Sequence, residues 1–354
     1  MERQSLTLED VAREAGVSRA TVSRVINGMR NVDPAIRDVV RAAVERTGYA
    51  PNRAARSLVT RRTETIALVI SGAGEDGEDA GDDESADARN AFTARVFADP
   101  FFGRVVGGVV GFLRPRSMHP VLMVAESEAA RSQVTAFLRE GSADGALVVS
   151  THAEDPLPAR LVAEGLHAVC FARPALPAPI SYVDLAHREG GRLAAEHLIA
   201  RGRRRLATVT GPLDLPAGQE RHAGFRETLE RAGTAYVPLA EGGFTLASGA
   251  HAMTRLLSEH PDLDGVFVAN DLMAQGACEA LREHGRRVPQ DVAVVGFDDS
   301  SAAHTCRPPL TTVRQPVEEM TAAMARLLQE HIQGARTEPT ALIFEPELVV
   351  RDSS

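Results

Sequence analysis

The chain is predicted to be two architectures in tandem: a small all-α head, and behind it an α/β body of two doubly wound parallel-sheet subdomains. Three observations predict this. Residues 1–63 hold 12 Arg against 7 Asp and Glu, a net +5, on a chain whose net charge is −9. Within that basic head, apolar residues recur at helical spacing between cap and glycine signals. From Thr65 onward, short apolar runs alternate with amphipathic stretches, as in a parallel sheet covered on both faces.

At 354 residues the chain is long enough for two or three domains, and 44% hydrophobic with 25% charged residues describes a globular protein with sizeable cores. No window approaches the ~18 apolar residues of a membrane span. The opening "MERQSLTLED" has no hydrophobic signal core, so the expected location is cytoplasmic. Three cysteines, Cys170, Cys278 and Cys306, lie far apart with no C-x-x-C, which argues against a disulfide framework or a structural zinc site. All 39 basic residues are arginine. Schiff-base catalysis and the Walker and kinase lysines each need an amine, and are excluded.

In the head, Thr7 is placed to cap a first helix with Asp10 three positions on, in the manner of a capping box. Leu8, Val11, Ala12 and Ala15 share one face, Gly16 turns the chain, and Ser18 caps a second helix. Val22, Val25 and Ile26 point inward, leaving Arg19, Ala20, Ser23, Arg24 and Asn27 outward. Asp33-Pro34 starts a third helix, with Ile36, Val39, Val40, Ala43 and Val44 as its buried stripe and Gly48 as its end. Two short helices joined by a tight glycine turn, the second polar and basic, describe a helix-turn-helix and point to duplex DNA as the partner.

"TLEDVAREAGVSRATVSRVING" followed by "VDPAIRDVVRAAVERTGYAPNRAARSL" resembles the head of the LacI/GalR (lactose-repressor/galactose-repressor) family of regulators. The likeness continues through "VANDLMAQGACEALREHGRRVPQDVAVVGFDD" and "RPPLTTVRQP" and covers nearly the whole chain. It implies that Arg19, Ala20 and Arg24 hold base-reading positions, Arg24 suiting guanine and Ala20 a thymine methyl. It implies that Thr7, Ser18, Thr21, Ser23, Asn27, Asn31 and Tyr49 touch phosphates or flank the bases. "PNRAARSL" matches the family's hinge helix, which adds Asn52, Arg53 and Arg56 to the DNA-contacting set and makes Leu58 a wedge for the minor groove. So short a helix is marginal alone, and its folding can depend on DNA and on its dimer mate.

The body reads as strands near 66–70, 121–125, 145–149, 167–171, 205–209, 264–268 and 292–296, with further pieces near 311–313 and 342–350. Helices are expected at 101–114, 128–140, 186–201, 219–232, 246–259, 270–284 and 315–333. The resemblance implies a type I periplasmic-binding-protein-like body in which the chain crosses between subdomains three times. The expected division is a head over 1–50, a hinge helix and linker over 51–63, and an effector-binding and dimerisation domain over 64–354. Within the last, the N-subdomain takes about 64–185 and 314–341, and the C-subdomain about 186–313 and 342–354.

Ligands of such sheets sit outside the carboxyl ends of strands, which places a cleft at Ser71, Ser150, Arg173, Asn270 and Asp298. Arg221 matches the family's principal effector arginine, Asn270 and Asp298 its amide and carboxylate, and Gln315 follows a crossover. A carboxylate and an arginine can each hold neighbouring sugar hydroxyls through paired hydrogen bonds. Phe101, Phe102 and Phe244 fall where the family stacks or packs its ligand; simple core packing is the alternative for each. In "FARP", Ala172 takes a place that is commonly acidic in the family, which leaves the sugar class open.

"SGAGEDGEDAGDDE" after the first strand contains a literal G-x-G-x-x-G. A dinucleotide fingerprint needs a helix opening directly behind the glycines, with its amides aimed at pyrophosphate. Here residues 71–90 hold eight acids and one arginine, a wall of like charge. The motif is a decoy within an acidic insertion spanning 72–95, whose composition suits a solvated loop. The eleven histidines are scattered and no G-x-S-x-G is present, so no metal, no cofactor and no catalysis are expected.

The expectation is a homodimeric, ligand-responsive transcriptional repressor of a sugar uptake or catabolism operon. It binds a palindromic operator and is released by a small carbohydrate. A corepressor-dependent regulator with a purine-type ligand is the alternative. A sugar-binding transport receptor is contradicted by the head and the missing export signal, and a nicotinamide-dependent enzyme by the acidic insertion.

Overall fold

The structure is a computed structural model that describes residues 6–26, 32–49, 62–72, 92–94 and 96–354. Backbone contacts divide the chain into two units, Met1–Thr63 and Glu64–Ser354.

The first unit contains α1 (Leu8–Ala15), α2 (Arg19–Ile26) and α3 (Pro34–Thr47). Thr7 caps α1, and the Asp10 carboxylate accepts from the Thr7 amide at 2.9 Å and from its hydroxyl at 2.8 Å. Gly16 follows with φ 64°, the left-handed turn that separates α1 from α2. The Ser18 hydroxyl accepts from the Thr21 amide, and Asp33 accepts from the Ala35 amide at the start of α3. Val11, Val22, Val40 and Ala43 form a core with no exposure, joined by Ala12, Ala15 and Tyr49. Ile36 and Val39, expected in that stripe, are 38% and 47% exposed. A helix packed on a core this small buries one narrow face, and Val40, Ala43 and Val44 fill it.

The second unit is two six-stranded sheets. The first lobe comprises β1 (Thr65–Ser71), α4 (Pro100–Leu113), β2 (His119–Ala125), α5 (Glu128–Arg139), β3 (Gly145–Ser150), α6 (Leu157–Ala163), β4 (Ala168–Phe171) and β5 (Ser181–Leu185). The chain then builds most of the second lobe. Its elements are α7 (His187–Ala200), β6 (Leu206–Thr210), α8 (Pro216–Arg231), β7 (Leu239–Glu241), α9 (Leu246–Glu259), β8 (Gly265–Val268), α10 (Asp271–Glu283), β9 (Ala293–Asp298), α11 (Ser301–Thr305) and β10 (Thr311–Arg314). It returns for α12 (Val317–Ile332) and β11 (Ala341–Phe344), and crosses again for β12 (Glu347–Val349).

The sheet orders are β11-β5-β4-β3-β1-β2 and β12-β10-β9-β8-β6-β7, all parallel except the β10–β12 pair. Central strands such as β1 and β9 are buried along almost their whole length, which explains their continuous apolar sequence. Residues 342–344, assigned by the sequence to the C-subdomain, pair with β5 of the first sheet. The third crossing therefore lies between Phe344 and Glu347, a few residues later than expected.

Most of the 72–95 insertion lies outside the described residues, including Gly74 and Gly77 of the decoy motif. Its far end does not: Phe92 is 5% exposed and packs with Val96 on Ile70, so the insertion rejoins the core before residue 95. Among the described residues, no single helix is long and apolar enough to cross a membrane.

Candidate functional site

In the head, α2 turns Val22 inward and leaves Arg19, Ala20 and Arg24 exposed, with Ser18 and Thr7 exposed beside them and Thr21 and Ser23 half-buried. Arg19 meets Glu9 of α1 at 3.0 Å across the surface. The Arg46 guanidinium meets Glu14 at 2.9 Å across α3 and α1, an exposed pair beside the core that holds α2 in place. Tyr49, expected at the DNA surface, is 8% exposed and its ring belongs to the head core. Asn27, Asn31, Asn52, Arg53, Arg56 and Leu58 lie outside the described residues.

In the body, the strand ends converge on Arg221. Its helix α8 lies against α7 with almost no gap: a β-carbon on Gly191 would meet the Arg221 carbonyl at 2.1 Å, and one on Gly224 the Arg188 carbonyl at 1.9 Å. Backbone contact of that kind fixes where α8 projects its side chains. The Arg221 guanidinium, 6% exposed, donates to the Ala269 carbonyl at 2.6 Å and to Gln315 Oε1 at 3.2 Å. It stands 3.7 Å from the Asp298 carboxylate and 3.7 Å over the Phe297 ring.

Arg221 Nε donates to His187 Nδ1 at 3.2 Å, and His187 Nε2 faces Asp184 at 3.3 Å. The first bond requires Nδ1 to be an acceptor, so the proton sits on Nε2 and the ring is neutral. Burial, and then the neighbouring Arg221 charge, push the His187 pKa down and keep it so. Asp184 also accepts from the Arg173 amide at 3.2 Å.

Burial pushes the Asp298 carboxyl up to about 8; Arg221 pulls it back in part, while Asp271 and Asp99 add to the rise. Asp271 is wholly buried, bonded to Thr312 at 2.6 Å and to the Ser300 amide at 2.7 Å, and burial pushes it up to about 7. Asp99 caps α4 by accepting from the Phe101 amide at 2.9 Å, and its field reaches Arg221. A buried cation therefore sits among several carboxyls that resist ionising together.

Asn270 caps α10 through Met273 and gives one amide bond to the Phe244 carbonyl at 3.2 Å; Phe244 itself has φ 59°. Phe101 packs edge-on against Phe102 and Phe171, with centroids 5.2 and 5.3 Å away. The structure thus brings Arg221, Asp298 and Gln315 into direct contact. Ser150 stands apart from them, its hydroxyl donating to Asp155 at the end of β3. Arg173 is exposed and, among the described residues, joins the network through its backbone amide. Asp184, His187, Asp271, Asp99 and Arg104 were missed by the sequence reading. The Asp184-x-x-His187 spacing at a strand-to-helix junction is the one signal that would have raised the first two.

Residues 7–52 match the profile of bacterial regulatory proteins of the lacI family, and residues 195–354 that of the periplasmic binding protein-like domain. The HTH-type transcriptional regulator CelR of Thermobifida fusca is 46% identical, covering 99% of each chain. A solved complex of transcriptional regulator CelR with cellobiose is 43% identical with a TM-score of 0.74, covering 99% of this chain and 100% of that one. The lac repressor dimer bound to operator and an anti-inducer is 27% identical with a TM-score of 0.79, covering 99% of both. With the head, the two-lobed body and a full-length relative in agreement, the chain belongs to the lacI family of bacterial regulatory proteins and is a ligand-responsive DNA-binding transcriptional regulator.

Proposed function

We propose that the cleft between the lobes binds cellobiose or a closely similar β-linked glucose disaccharide, and that binding releases a homodimer from a palindromic operator in the cytoplasm. The observation that carries this reading is the Arg221–Asp298–Gln315 constellation over Phe297. Arg221 and Asp298 supply donors and acceptors for vicinal hydroxyls, Asn270 adds an amide, and Phe244 and the Phe101–Phe102 pair offer apolar faces to the sugar rings. Arg173, exposed just after β4, and Ser150, at the end of β3, are the further ligand contacts in this reading. The CelR–cellobiose complex, a near relative across the whole chain, supports the choice of disaccharide.

On the DNA side, Arg19, Ala20 and Arg24 read base edges, while Thr7, Ser18, Thr21, Ser23, Asn27 and Asn31 set register on phosphates. Asn52, Arg53 and Arg56 flank Leu58, which enters the minor groove. Ligand shifts the lobes toward a geometry that separates the two hinge segments, and DNA affinity falls by linkage. Catalysis has no part in this reading.

Calorimetry of the purified protein with cellobiose, glucose, ribose and hypoxanthine tests the ligand. Gel shifts on an inverted-repeat duplex, with and without each binder, test the response. Cellobiose should bind and reduce the shift. Tighter DNA binding with hypoxanthine, or no response to any sugar, would overturn the proposal. In the same assay, Leu58→Ala should weaken specific binding far more than non-specific binding; equal losses would remove the wedge.

A further inference from the structure

Arg104 stands on α4, in the turn after Phe101 and Phe102, and belongs to the first lobe. Its partners do not all lie there. Nε and Nη2 grip the Glu318 carboxylate of α12 at 2.8 and 2.7 Å, within the first lobe. Nη1 donates to the Asp298 carbonyl at 2.7 Å and Nη2 to the Gln315 carbonyl at 2.9 Å, at the ends of β9 and β10 in the second lobe.

Those two carbonyls mark where the sheet ladder runs out. Arg314 still pairs with Asp298 in register, but the Gln315 amide is 3.5 Å from the Asp298 carbonyl, a long contact. Asp298 has φ 105°, a conformation that an L-residue keeps only when its surroundings hold it. The guanidinium from the opposite lobe takes over that hold. Its own anchorage is firm, because α4 and α12 are in contact: a β-carbon on Gly108, one turn after Arg104, would meet the Glu318 carbonyl at 2.8 Å.

We propose that Arg104 is a positioning residue of the cleft: anchored to the first lobe through Glu318, it holds the strained end of β9, aims the Asp298 carboxylate at Arg221, and carries movement of α4 into the second lobe. The same helix presents Phe101 and Phe102, so a ligand that shifts the aromatic pair shifts Arg104 with it. The ligand half of this inference rests on the disaccharide reading above; the backbone half does not.

The test uses the full-length protein as wild type, Arg104→Met, Arg104→Lys and Glu318→Gln. Hydrogen exchange without ligand is followed in peptides covering 296–301 and 313–318, and cellobiose affinity and cellobiose-driven operator release are measured in parallel. Arg104→Met should speed exchange in both peptides and weaken cellobiose roughly tenfold or more, the worth of a charged hydrogen bond. It should also raise the cellobiose needed for operator release by more than the loss in binding. Arg104→Lys should recover part of each effect, since an ammonium keeps the charge but not the fork. Glu318→Gln should act less than Arg104→Met. Unchanged exchange in Arg104→Met, or a lysine variant no better than methionine, overturns the inference. If Arg104→Met fails to fold, Arg104→Lys decides: behaviour equal to wild type in exchange and affinity overturns it. If wild type binds no disaccharide, the ligand reading fails, and exchange alone judges Arg104.

Discussion

In the head, Arg24 and Arg19 stand exposed on α2, and among the described residues Arg19 pairs with an exposed Glu9 at 3.0 Å. In the cleft, Arg221 is 6% exposed, and each of its three nitrogens reaches a protein acceptor. The side chain is the same and its state of readiness is opposite. An exposed ion pair is worth little and is screened by salt, so it yields cheaply to a phosphate or a base edge. A buried guanidinium has lost its water during folding, and at the proposed site a ligand reaches it only by trading with Asp298 and Gln315. The head is therefore tuned for contacts made and broken in solvent, the cleft for contacts that rearrange a network.

The largest expected effect comes from removing the buried arginine. Arg221→Met leaves Gln315 without its donor and removes the cation beside Asp298, and cellobiose affinity should fall roughly a hundredfold or more, as when a buried hydrogen-bonded charge is truncated. Operator binding should persist without release. Calorimetry and gel shifts on one preparation check both; a variant that still responds to the sugar would break the contrast.

Next comes Arg24→Ala, which should reduce preference for the operator over random duplex by about 1–3 kcal/mol. Titrations on the two DNAs at fixed salt measure the ratio. Loss of equal size on both would mean that Arg24 touches phosphate only.

Asp298→Asn sharpens the cleft side. The folded-state pKa of Asp298, raised to about 8, lies above that of an unfolded carboxyl. The native state therefore binds more protons between the ordinary carboxylate range and about pH 8, and stability falls as pH rises through that window. Asparagine has no such penalty. The variant should bind sugar poorly yet melt on the order of a few degrees higher than wild type at pH 8, with the gap closing toward pH 4. Melting curves across pH check the sign.

The smallest effect belongs to Glu9→Gln. Freeing Arg19 from an exposed partner should tighten DNA binding by roughly twofold at low salt and not at all at high salt. A salt series of gel shifts is sufficient to show it.

The head was almost fully legible, because caps and turns are local chemistry: Thr7 with Asp10, Gly16, Ser18 and Asp33 fall where their side chains demand. The exposed Ile36 and Val39 escaped, since helical periodicity alone does not set how wide the buried face is. In the body, the long buried strands were visible. β5 was hidden behind the proline-rich "ARPALPAPI", and β7 is only three residues long. Arg221, Asp298 and Gln315 were found through resemblance. Asp184 and His187 stand only three positions apart, and that spacing was passed over; Arg104 depends on contacts 194 to 214 positions away, which no local pattern encodes.

The order in which the sheets are threaded has a consequence during synthesis. The first lobe lacks α12 and β11 until most of the second lobe has been made, and the second sheet closes only when Ser353 bonds Val294 and Thr311 near the end of the chain. The three helices described in the head, by contrast, end at Thr47, so the head emerges and folds first on the ribosome. A polypeptide interrupted anywhere between Thr65 and Thr340 carries a finished groove-reading module attached to a receptor that cannot close. The cell therefore has reason to clear such fragments quickly: they can occupy DNA and have no intact means of being told to leave.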